Sequence, residues 1–356
     1  MTRLGAMFGP DATFVGVPRC DLEDPATFGG ADVVIIGAPY DAGTSYRAGA
    51  RFGPKAIRTT DYLDHDGSRP HLALRVDPLR DMRVLDAGDV LMPGVEGKAA
   101  LDALERAVLA AAGAGAIPLV LGGDHTITWP DVTGVARARG WGRVSVIHFD
   151  AHADTGNVQY GSLIGHGLPM RRLIESGACR GDRFLQVGLR GYWPEPETLE
   201  WMAAQGMRSF EMHEVVARGL DAVLEEAFAI AMDGCDGVFV SVDLDVVDPG
   251  MAPGTGTPEP GGLTGRQLLD AVRRIAIQVP VVGVDVVEVA PAYDAAEITA
   301  FLANRVVLEM LSGIAYRRGG GTWDSVPKTL LERRSPEERV SPSSTDGSSR
   351  RAHPAS

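Results

Sequence analysis

Six short runs of this chain are apolar at nearly every position and rich in β-branched residues, and they constrain the fold more than any other feature. Runs without apolar–polar alternation suit strands that are buried on both faces. Helical patterns lie between the runs, as in parallel sheets with helices on both sides. The runs are 33–37, 117–123, 144–150, 184–190, 238–245 and 281–289. The sequence therefore predicts an α/β protein of three layers, with a central, mostly parallel sheet and helices on both faces.

Three segments carry clear helical patterns between or after these runs. Residues 101–115 place their larger apolar side chains on one face. Thr264 is followed three residues later by Gln267, which is a capping-box pattern at a helix start. Residues 297–311 are amphipathic, and Gly313 follows them.

The composition changes near both ends of the chain. Residues 1–32 are rich in Gly, Pro and Asp and read as an irregular N-terminal arm. No repeat or linker interrupts residues 33–317, which we interpret as one domain. Residues 318–356 are rich in Ser, Pro, Gly and charge, and such a segment buries too little apolar surface to become ordered. We expect this C-terminal tail to be disordered.

Charge and cysteine usage exclude several classes of protein. The net charge of -13 argues against a nucleic-acid binder and weakly favours cationic ligands. Three separated cysteines without a CxxC pair argue against a disulfide framework or a zinc knuckle and suit a reducing cytosol. The N-terminus has no apolar signal region, and no apolar run reaches the length needed to cross a bilayer. We therefore expect a cytoplasmic protein without a membrane partner.

Acidic and histidine residues follow three of the predicted strands. The segments are GGDHT at 122–126, HFDAHAD at 148–154 and SVDLDVVDP at 241–249. Ligand sites of α/β sheets lie at the carboxyl ends of the strands, so the three segments are expected to meet. Within two of them the side chains alternate, as in Asp150, His152 and Asp154, and alternate side chains of an extended chain share a face.

A cluster of carboxylates at the end of apolar strands is unfavourable unless cations compensate it. Asp150, Asp154, Asp243 and Asp245 bring about four negative charges at neutral pH, which two divalent ions would balance. Carboxylates with imidazoles and no cysteine suit Mn²⁺ better than a structural zinc site, although nickel and cobalt also accept such ligands. Paired ions activate water for hydrolysis. Three further residues of these segments, predicted to give structural support instead, are Asp124, His148 and Asp248.

These segments resemble the signatures of the ureohydrolase family, which includes arginase, agmatinase and guanidinobutyrase. The matching segments are LGGDHTIT at 121–128, IHFDAHADTG at 147–156, and 241–263, with further similarity at 43–58 and 284–294. The resemblance covers residues 33–317 and implies an arginase-like fold around two Mn²⁺ per subunit. The metal ligands that it implies are His125, Asp150, His152, Asp154, Asp243 and Asp245.

The resemblance also implies roles for residues outside the metal cluster. His166, in a short His-Gly segment, corresponds to the family histidine that transfers a proton during turnover. Glu288 corresponds to the carboxylate that holds the substrate guanidinium. Asn157, in the loop 155–167, is assigned to substrate binding as well. Family members are usually trimers or hexamers, so a homo-oligomer is expected.

The substrate is predicted to be a small cationic guanidino compound, and agmatine, which would yield putrescine and urea, fits best. The loop 155–167 carries no Arg or Lys to meet a carboxylate, and the segments 41–54 and 254–262 are more similar to agmatinases than to arginases. Arg47 and Arg51 either receive an anionic tail or hold their own loop together, and the second interpretation is favoured.

Other functions stay open at this point. Guanidinobutyrase activity, or hydrolysis of a smaller guanidine, is an alternative within the family. A catalytically inactive, metal-free binding or regulatory homologue is an alternative of a different class, although all six ligands are present. A single-zinc deacetylase of related fold is disfavoured, because the chain contains no His-His pair.

Overall fold

Eight strands form one sheet in which every pairing between neighbouring strands is parallel. The structure, a computed structural model, describes residues 12–63, 65, 68–92 and 97–327. The strands are β1 Val33–Ala38, β2 Val84–Asp89, β3 Ile117–Gly122, β4 Val144–Phe149, β5 Phe184–Val187, β6 Arg208–Phe210, β7 Gly237–Asp243 and β8 Val281–Val287. Their order is β2-β1-β3-β8-β7-β4-β5-β6. The predicted parallel sheet is confirmed.

Helices cover both faces of the sheet. They are α1 Gly53–Thr59, α2 Pro78–Asp81, α3 Gly97–Gly113, α4 Thr128–Arg139, α5 Pro169–Ser176, α6 Pro196–Ala204, α7 Met212–Arg218, α8 Leu220–Ala231, α9 Gly265–Gln278 and α10 Ile298–Arg318. In β1, Val33 and Ile35 join an apolar cluster with α8, α9 and α10, whereas Val34 and Ile36 join one with α3, α4 and α5. The alternation shows why these strands are apolar on both faces, and the three-layer prediction is confirmed.

The strand order brings the chemically important segments together. β3, β8, β7 and β4 are consecutive in the middle of the sheet. Because all four are parallel, their carboxyl ends lie at one edge. The segments that begin at residues 123, 150, 244 and 288 leave from this edge, so that side chains far apart in sequence can meet there.

Two strands of the sheet, β2 and β6, were not among the predicted runs. β6 has only three residues, and β2 contains polar residues that obscure its strand character. Asp86, in the middle of β2, is fully buried, and its two oxygens lie 2.9 Å from Nε and 3.0 Å from Nη2 of Arg58. The buried pairing with a bidentate guanidinium explains how a carboxylate is tolerated inside the sheet.

Helices α9 and α10 show one prediction confirmed and one corrected. The hydroxyl of Thr264 accepts a hydrogen bond from the backbone N–H of Gln267, whose side chain accepts from the N–H of Thr264, so the capping box is present. By contrast, α10 does not end near Gly313. A Cβ at that position would lie 2.5 Å from the Cβ of Ala276 in α9 and 2.9 Å from the carbonyl oxygen of Arg273. Glycine here permits close packing of the two helices instead of terminating one.

The long helix α10 also requires a correction to the expectation that no segment could cross a bilayer. Among the described residues, the stretch Ala295–Arg318 is long and apolar enough to do so by length and composition. However, 67% of its apolar window is buried inside the fold. Its hydrophobic character is therefore explained by packing against α9 and the sheet.

The two terminal segments are partly described. Phe14, in the predicted arm, is fully buried, and its N–H donates to Oδ2 of Asp86 over 2.7 Å. The chain then pairs alongside β2, where Asp86 exchanges backbone hydrogen bonds with Pro18 and Cys20. At the other end, a turn at Trp323–Ser325 follows α10. Residues 328–356 lie outside the described residues, so disorder of the predicted tail 318–356 stays a prediction there.

Candidate active site

His125 stands at the centre of a group of carboxylates at the carboxyl edge of the sheet. Its Nδ1 lies 2.9 Å from Oδ2 of Asp150, 3.0 Å from Oδ2 of Asp154 and 3.1 Å from Oδ2 of Asp243. This nitrogen is buried and has no hydrogen-bond partner among the described residues. Atoms that lie about 2.1 Å from one octahedral ion, at right angles, are about 3 Å apart. The spacing and the orphaned nitrogen fit one metal ion.

A second group adjoins the first through Asp150. The Nδ1 of His152 lies 3.0 Å from Oδ2 of Asp245 and 3.4 Å from Oδ1 of Asp150. Asp150 thus offers Oδ2 to the first group and Oδ1 to the second. All six side chains predicted as ligands are brought together, in two neighbouring groups that could each hold a divalent ion.

The electrostatics of the cluster demand cations. Asp150, Asp243 and Asp245 are each at most 2% exposed. Burial raises the pKa of Asp243 well above its usual value, and the charges of Asp245 and Asp150 raise it further. Burial lowers the pKa of His125, but the carboxylates around Nδ1 outweigh this effect and raise it well above the usual value. Both shifts reflect negative charge without enough positive charge, so the donor set suits divalent ions.

Backbone N–H groups fix the carboxylates in position. Oδ1 of Asp150 accepts from the N–H of His152 over 2.6 Å, and Oδ1 of Asp243 accepts from the N–H of Asp245 over 2.7 Å. Oδ1 of Asp245 accepts from the N–H of Ala151 over 3.1 Å, which links the segments after β4 and β7. These bonds explain why residues two apart recur in the motifs: each strand-end aspartate caps the turn that carries the next ligand.

His148 lies close to the first group, yet both of its ring nitrogens already have hydrogen-bond partners in the protein. The amide of Gln186 donates to Nδ1 over 3.2 Å, and Nε2 lies 2.9 Å from Oδ2 of Asp150. The amide orientation of Gln186 is set by Ser209, whose hydroxyl donates to Oε1 over 2.9 Å. His148 is therefore a hydrogen-bond donor that orients Asp150, in agreement with its predicted supporting role.

Asp124 and Asp248 also support loops, as predicted. Oδ1 of Asp124 accepts from the N–H of Thr126, and Oδ2 accepts from the N–H of Gly43. The two oxygens of Asp248 accept from the N–H groups of Gly250 and Gly261. Both carboxylates thus hold the segments that surround the cluster and leave the ion positions to other residues.

One supporting chain was not anticipated from the sequence. Nε2 of His125 lies 2.9 Å from Oγ of Ser241, and Oγ1 of Thr128 donates to Oδ2 of Asp285 over 2.7 Å. The two hydroxyls are 3.4 Å apart. When Nε2 carries the proton and donates it to Ser241, the lone pair of Nδ1 faces the ion position among the carboxylates. In the sequence, this role of Ser241 could have been inferred from its position two residues before Asp243, on the same face of β7.

Glu288 and His166 form the other half of the site. Oε1 of Glu288 accepts from the N–H of His125 and lies 2.9 Å from Nδ1 of His166. Oε2 is buried and has no partner among the described residues. Gly256 packs over it so closely that a Cβ would lie 3.0 Å away. One carboxylate oxygen is thus fixed, and the other is left without a hydrogen-bond donor from the described residues.

The Nε2 of His166 faces Ser45, whose N–H donates to it over 3.1 Å and whose Oγ lies 2.7 Å away. Burial lowers the pKa of His166, whereas the charges of Glu288 and Asp124 raise it to about 9. The Ser45 N–H favours the neutral ring and opposes that rise. The ring therefore lies between Ser45 at the cavity and the carboxylate of Glu288 behind it.

A cavity of about 390 Å³ opens above these groups. Its inner wall includes Asp154, Asp243 and His166, and its outer wall is built by the loops around residues 155–160 and 193–195. Asn157 lies in the outer wall, where its Oδ1 accepts from Arg172 over 3.1 Å. No Arg or Lys is among the lining residues of this cavity.

Neither of the two arginines considered for an anionic tail lines the cavity. The guanidinium of Arg47 lies 5.3 Å from the ring centroids of both Tyr46 and Tyr293. Arg51 pairs with Asp41. Arg51 therefore holds its own loop in place, which agrees with the favoured interpretation, whereas Arg47 also contacts Tyr293 of another segment.

Comparison with known proteins identifies relatives over most of the chain. Residues 31–313 match the arginase family. Proclavaminate amidinohydrolase of Streptomyces clavuligerus is 39% identical, over 84% of this chain and 91% of its own. Guanidinobutyrase of Pseudomonas aeruginosa is 36% identical, over 85% and 92%. Agmatinase of Bacillus anthracis is 36% identical, over 82% and 95%.

Solved structures agree with these matches. The structure of proclavaminate amidinohydrolase from Streptomyces clavuligerus superposes with a TM-score of 0.77 at 36% identity and covers 87% of this chain and 99% of its own. The Trypanosoma cruzi formiminoglutamase with Mn²⁺ gives a TM-score of 0.73 at 29% identity, over 81% and 94%. The His–Asp cluster fits the two metal ions on which the arginase family depends. Because the family match and the relatives cover most of the chain, the chain belongs to the arginase family and is a hydrolase that acts on the C–N bonds of a guanidino group.

Proposed function

We propose that this enzyme hydrolyses agmatine to urea and putrescine with two Mn²⁺ ions per subunit. The observation that carries the proposal is Oε2 of Glu288, a buried carboxylate oxygen without a described partner beside the His–Asp cluster. A buried, unpaired carboxylate oxygen is costly unless a cationic donor reaches it. A guanidinium group supplies such N–H donors.

Six side chains would hold the ions in the two groups that share Asp150. His125, Asp150, Asp154 and Asp243 surround one position, and Asp150, His152 and Asp245 surround the other. When bound, the ions supply Lewis acidity and lower the pKa of a coordinated water toward neutrality. Oxygen and imidazole donors without thiolates suit Mn²⁺. The Mn²⁺ in the Trypanosoma cruzi relative supports the same choice.

Glu288 would orient the substrate. Its Oε1 is held by the N–H of His125 and by His166, so the direction of Oε2 is fixed before the substrate binds. A charge-assisted hydrogen bond from the planar guanidinium to Oε2 would set the plane of the reacting carbon above the cluster. Positioning of this kind lowers the barrier because the reacting groups meet in a defined geometry.

His166 would carry a proton to the leaving amine. Its Nε2 lies 2.7 Å from the hydroxyl of Ser45, and both residues line the cavity. Nδ1 lies 2.9 Å from Glu288, which stabilises the protonated ring. With its pKa raised to about 9, the ring carries a proton at neutral pH that it can give to the leaving amine.

The choice of agmatine is supported by the charge of the cavity. A substrate with a carboxylate tail would find no Arg or Lys among the lining residues, whereas a cationic tail meets Glu195 at the outer wall. A second candidate, guanidinobutyrase activity, is favoured by the 36% identity to the Pseudomonas aeruginosa enzyme of that name.

A urea-release screen tests the proposal. Metal-stripped protein is reconstituted with Mn²⁺, Ni²⁺ or Co²⁺ and assayed with agmatine, arginine, 4-guanidinobutanoate, 3-guanidinopropanoate and guanidine. We expect Mn²⁺ to give the highest kcat/KM, with agmatine as the preferred substrate. A preference for 4-guanidinobutanoate would replace agmatine by the second candidate. Failure to take up metal, together with absence of urea, would support an inactive homologue.

A further inference from the structure

We propose that Glu195, together with the aromatic rings of Trp193 and Tyr160, forms an outer cation site that selects guanidino substrates with a positively charged tail. This inference rests on the proposed function and assigns residues to its specificity. It concerns the outer wall of the cavity, at the end away from the metal cluster.

Glu195 is the residue before α6, and its backbone is fixed there. Its carbonyl oxygen accepts from the N–H groups of Thr198 and Leu199 over 3.0 and 3.1 Å. The side chain lines the cavity and is exposed, and no Arg or Lys among the described residues lies within ion-pair distance of it. A carboxylate that is held at a cavity mouth without a counterion is available to a cationic ligand.

Two aromatic residues from different loops belong to the same outer wall of the cavity. Trp193 is 65% exposed and Tyr160 is 90% exposed, and both line the same cavity as Glu195. The face of an aromatic ring attracts an ammonium group within about 6 Å of its centroid, most strongly for Trp. Exposed rings that line the same cavity as an unpaired carboxylate therefore favour a cation over a neutral or anionic group.

The charges along the cavity match a substrate that is positive at both ends. Among the lining residues, the carboxylates of Asp154 and Asp243 belong to the metal cluster and would be compensated by the ions. Glu195 then remains uncompensated at the outer end, and Glu288, which does not line the cavity itself, lies behind His166 at the inner end. An anionic tail would instead be repelled by Glu195, which is a repulsive element of specificity.

Arg172 is the basic side chain that could weaken this inference. It donates to Asn157 in the outer wall but does not line the cavity. Its Nη2 lies 3.3 Å from Oε2 of Glu175, and its side chain is 12% exposed. The guanidinium is thus compensated behind the wall, and it supports Asn157 without offering a free positive charge to the ligand.

The test compares three guanidino substrates that differ at the tail, of which the third also has one methylene fewer. Agmatine carries an ammonium, pentylguanidine carries a methyl group in its place, and 4-guanidinobutanoate carries a carboxylate. Glu195→Gln should lower kcat/KM for agmatine about three- to tenfold, mainly through KM, and leave pentylguanidine nearly unchanged. Glu195→Lys should lower it further for agmatine and raise it for 4-guanidinobutanoate. The agmatine effect should shrink at high salt, because exposed charges are screened.

Two further variants separate charge recognition from general damage to the loop. Glu197→Gln removes an exposed carboxylate from the first turn of α6 that does not line the cavity, and all three substrates should react as in the wild type. Trp193→Leu keeps an apolar side chain but removes the ring, so agmatine should lose about threefold in kcat/KM while pentylguanidine is little affected.

The inference is overturned if Glu195→Gln changes agmatine and pentylguanidine equally, if Glu197→Gln has the same effect, or if the wild type prefers 4-guanidinobutanoate. The last result would leave guanidine hydrolysis itself intact. If the wild type releases urea from no substrate, the proposed function fails. Agmatine would then be bound without turnover, and titration calorimetry would still decide: weaker binding to Glu195→Gln supports the outer cation site, whereas equal binding or no binding refutes it.

Discussion

The inner and outer ends of the cavity are built in different ways. At the inner end, ligands leave the ends of four neighbouring strands, and backbone N–H groups hold most of their carboxylates. At the outer end, Tyr160, Trp193 and Glu195 are exposed side chains on loops, and their functional groups make few contacts with the rest of the protein. A buried, interlocked cluster tolerates little change, whereas an exposed rim can change without disturbing the fold. We infer that the reaction is determined by the inner end and the substrate by the outer end.

The largest effect should follow from removal of the ligand that both groups share. Asp150→Ala should abolish binding of both ions and lower kcat/KM at least about a thousandfold for every guanidino substrate, since metal ions contribute several kcal/mol to the barrier and each 1.4 kcal/mol is a factor of ten. Elemental analysis and urea release measure this. Asp102→Ala, which removes an exposed partner of Lys98, is the control. Retention of two ions and full activity in Asp150→Ala would refute the scheme.

Glu288→Gln should act on all substrates alike, in contrast to the selective effect proposed for Glu195→Gln. A glutamine has one acceptor oxygen. It can therefore accept either from the N–H of His125, as Glu288 does, or from the proposed substrate, but not from both through separate oxygens. We expect kcat/KM to fall about a hundredfold, as for loss of a hydrogen bond to a charged group, with both metal ions retained. Glu105→Gln, which affects an ion pair with Arg137, should leave kinetics unchanged. If Glu288→Gln lowered kcat/KM for agmatine alone, the inference that the inner end determines the reaction and the outer end the substrate would be wrong.

Ser241→Ala should weaken metal binding and leave the contacts to the substrate unchanged. Its hydroxyl fixes the ring of His125 from behind, and removal of such support costs about ten- to a hundredfold in metal affinity. Titration with Mn²⁺ measures the change. Ser145→Ala, at a buried hydroxyl of β4 that bonds only the carbonyl oxygen of Gly237 among the described residues, is the matched control. Equal Mn²⁺ affinities in the two variants would show that Ser241 has no supporting role.

Asn157→Ala should have the smallest effect. The side chain is exposed at the outer wall, and its oxygen is engaged by Arg172. Loss of one hydrogen bond there should raise KM about threefold and leave kcat and metal content unchanged. Steady-state kinetics with agmatine provide the measurement. A fall in kcat as large as that expected for Glu288→Gln would show that Asn157 takes part in the reaction itself, in contradiction to its assignment to the outer end.

The inner end was predictable because its geometry follows from local rules. Parallel strands end at one edge, so the segments that carry Asp150 and Asp243 could be expected to meet there. The expected alternation of an extended chain is wrong as the reason, because the strands end at Phe149 and Asp243 and the ligands that follow lie in loops and turns, with Asp245 in a 3-10 helix. What these rules leave out is the support behind the ligands. Ser241 and Thr128 are ordinary hydroxyl residues in sequence, and only the strand order places them between His125 and Asp285.

The remaining features depend on contacts between distant parts of the chain. β2 carries Asp86 inside the sheet, which only the pairing with Arg58 makes favourable. Gly313 lies within α10 because Ala276 packs against it, although the same residue also suits a helix end. Tyr160 and Trp193 come to one cavity through the packing of two loops, which no periodic pattern in either segment reveals.

The N-terminal arm has a consequence for the association of this protein. β2 is the last strand on its side of the sheet, and an uncovered edge strand offers unpaired N–H and C=O groups to other chains. Here the backbone of Asp86 is already paired with Pro18 and Cys20, and Phe14 anchors the segment from below. The arm therefore covers the edge of β2 at Asp86, where another chain could otherwise pair with it. Truncation beyond Phe14 should make the protein prone to intermolecular β-pairing.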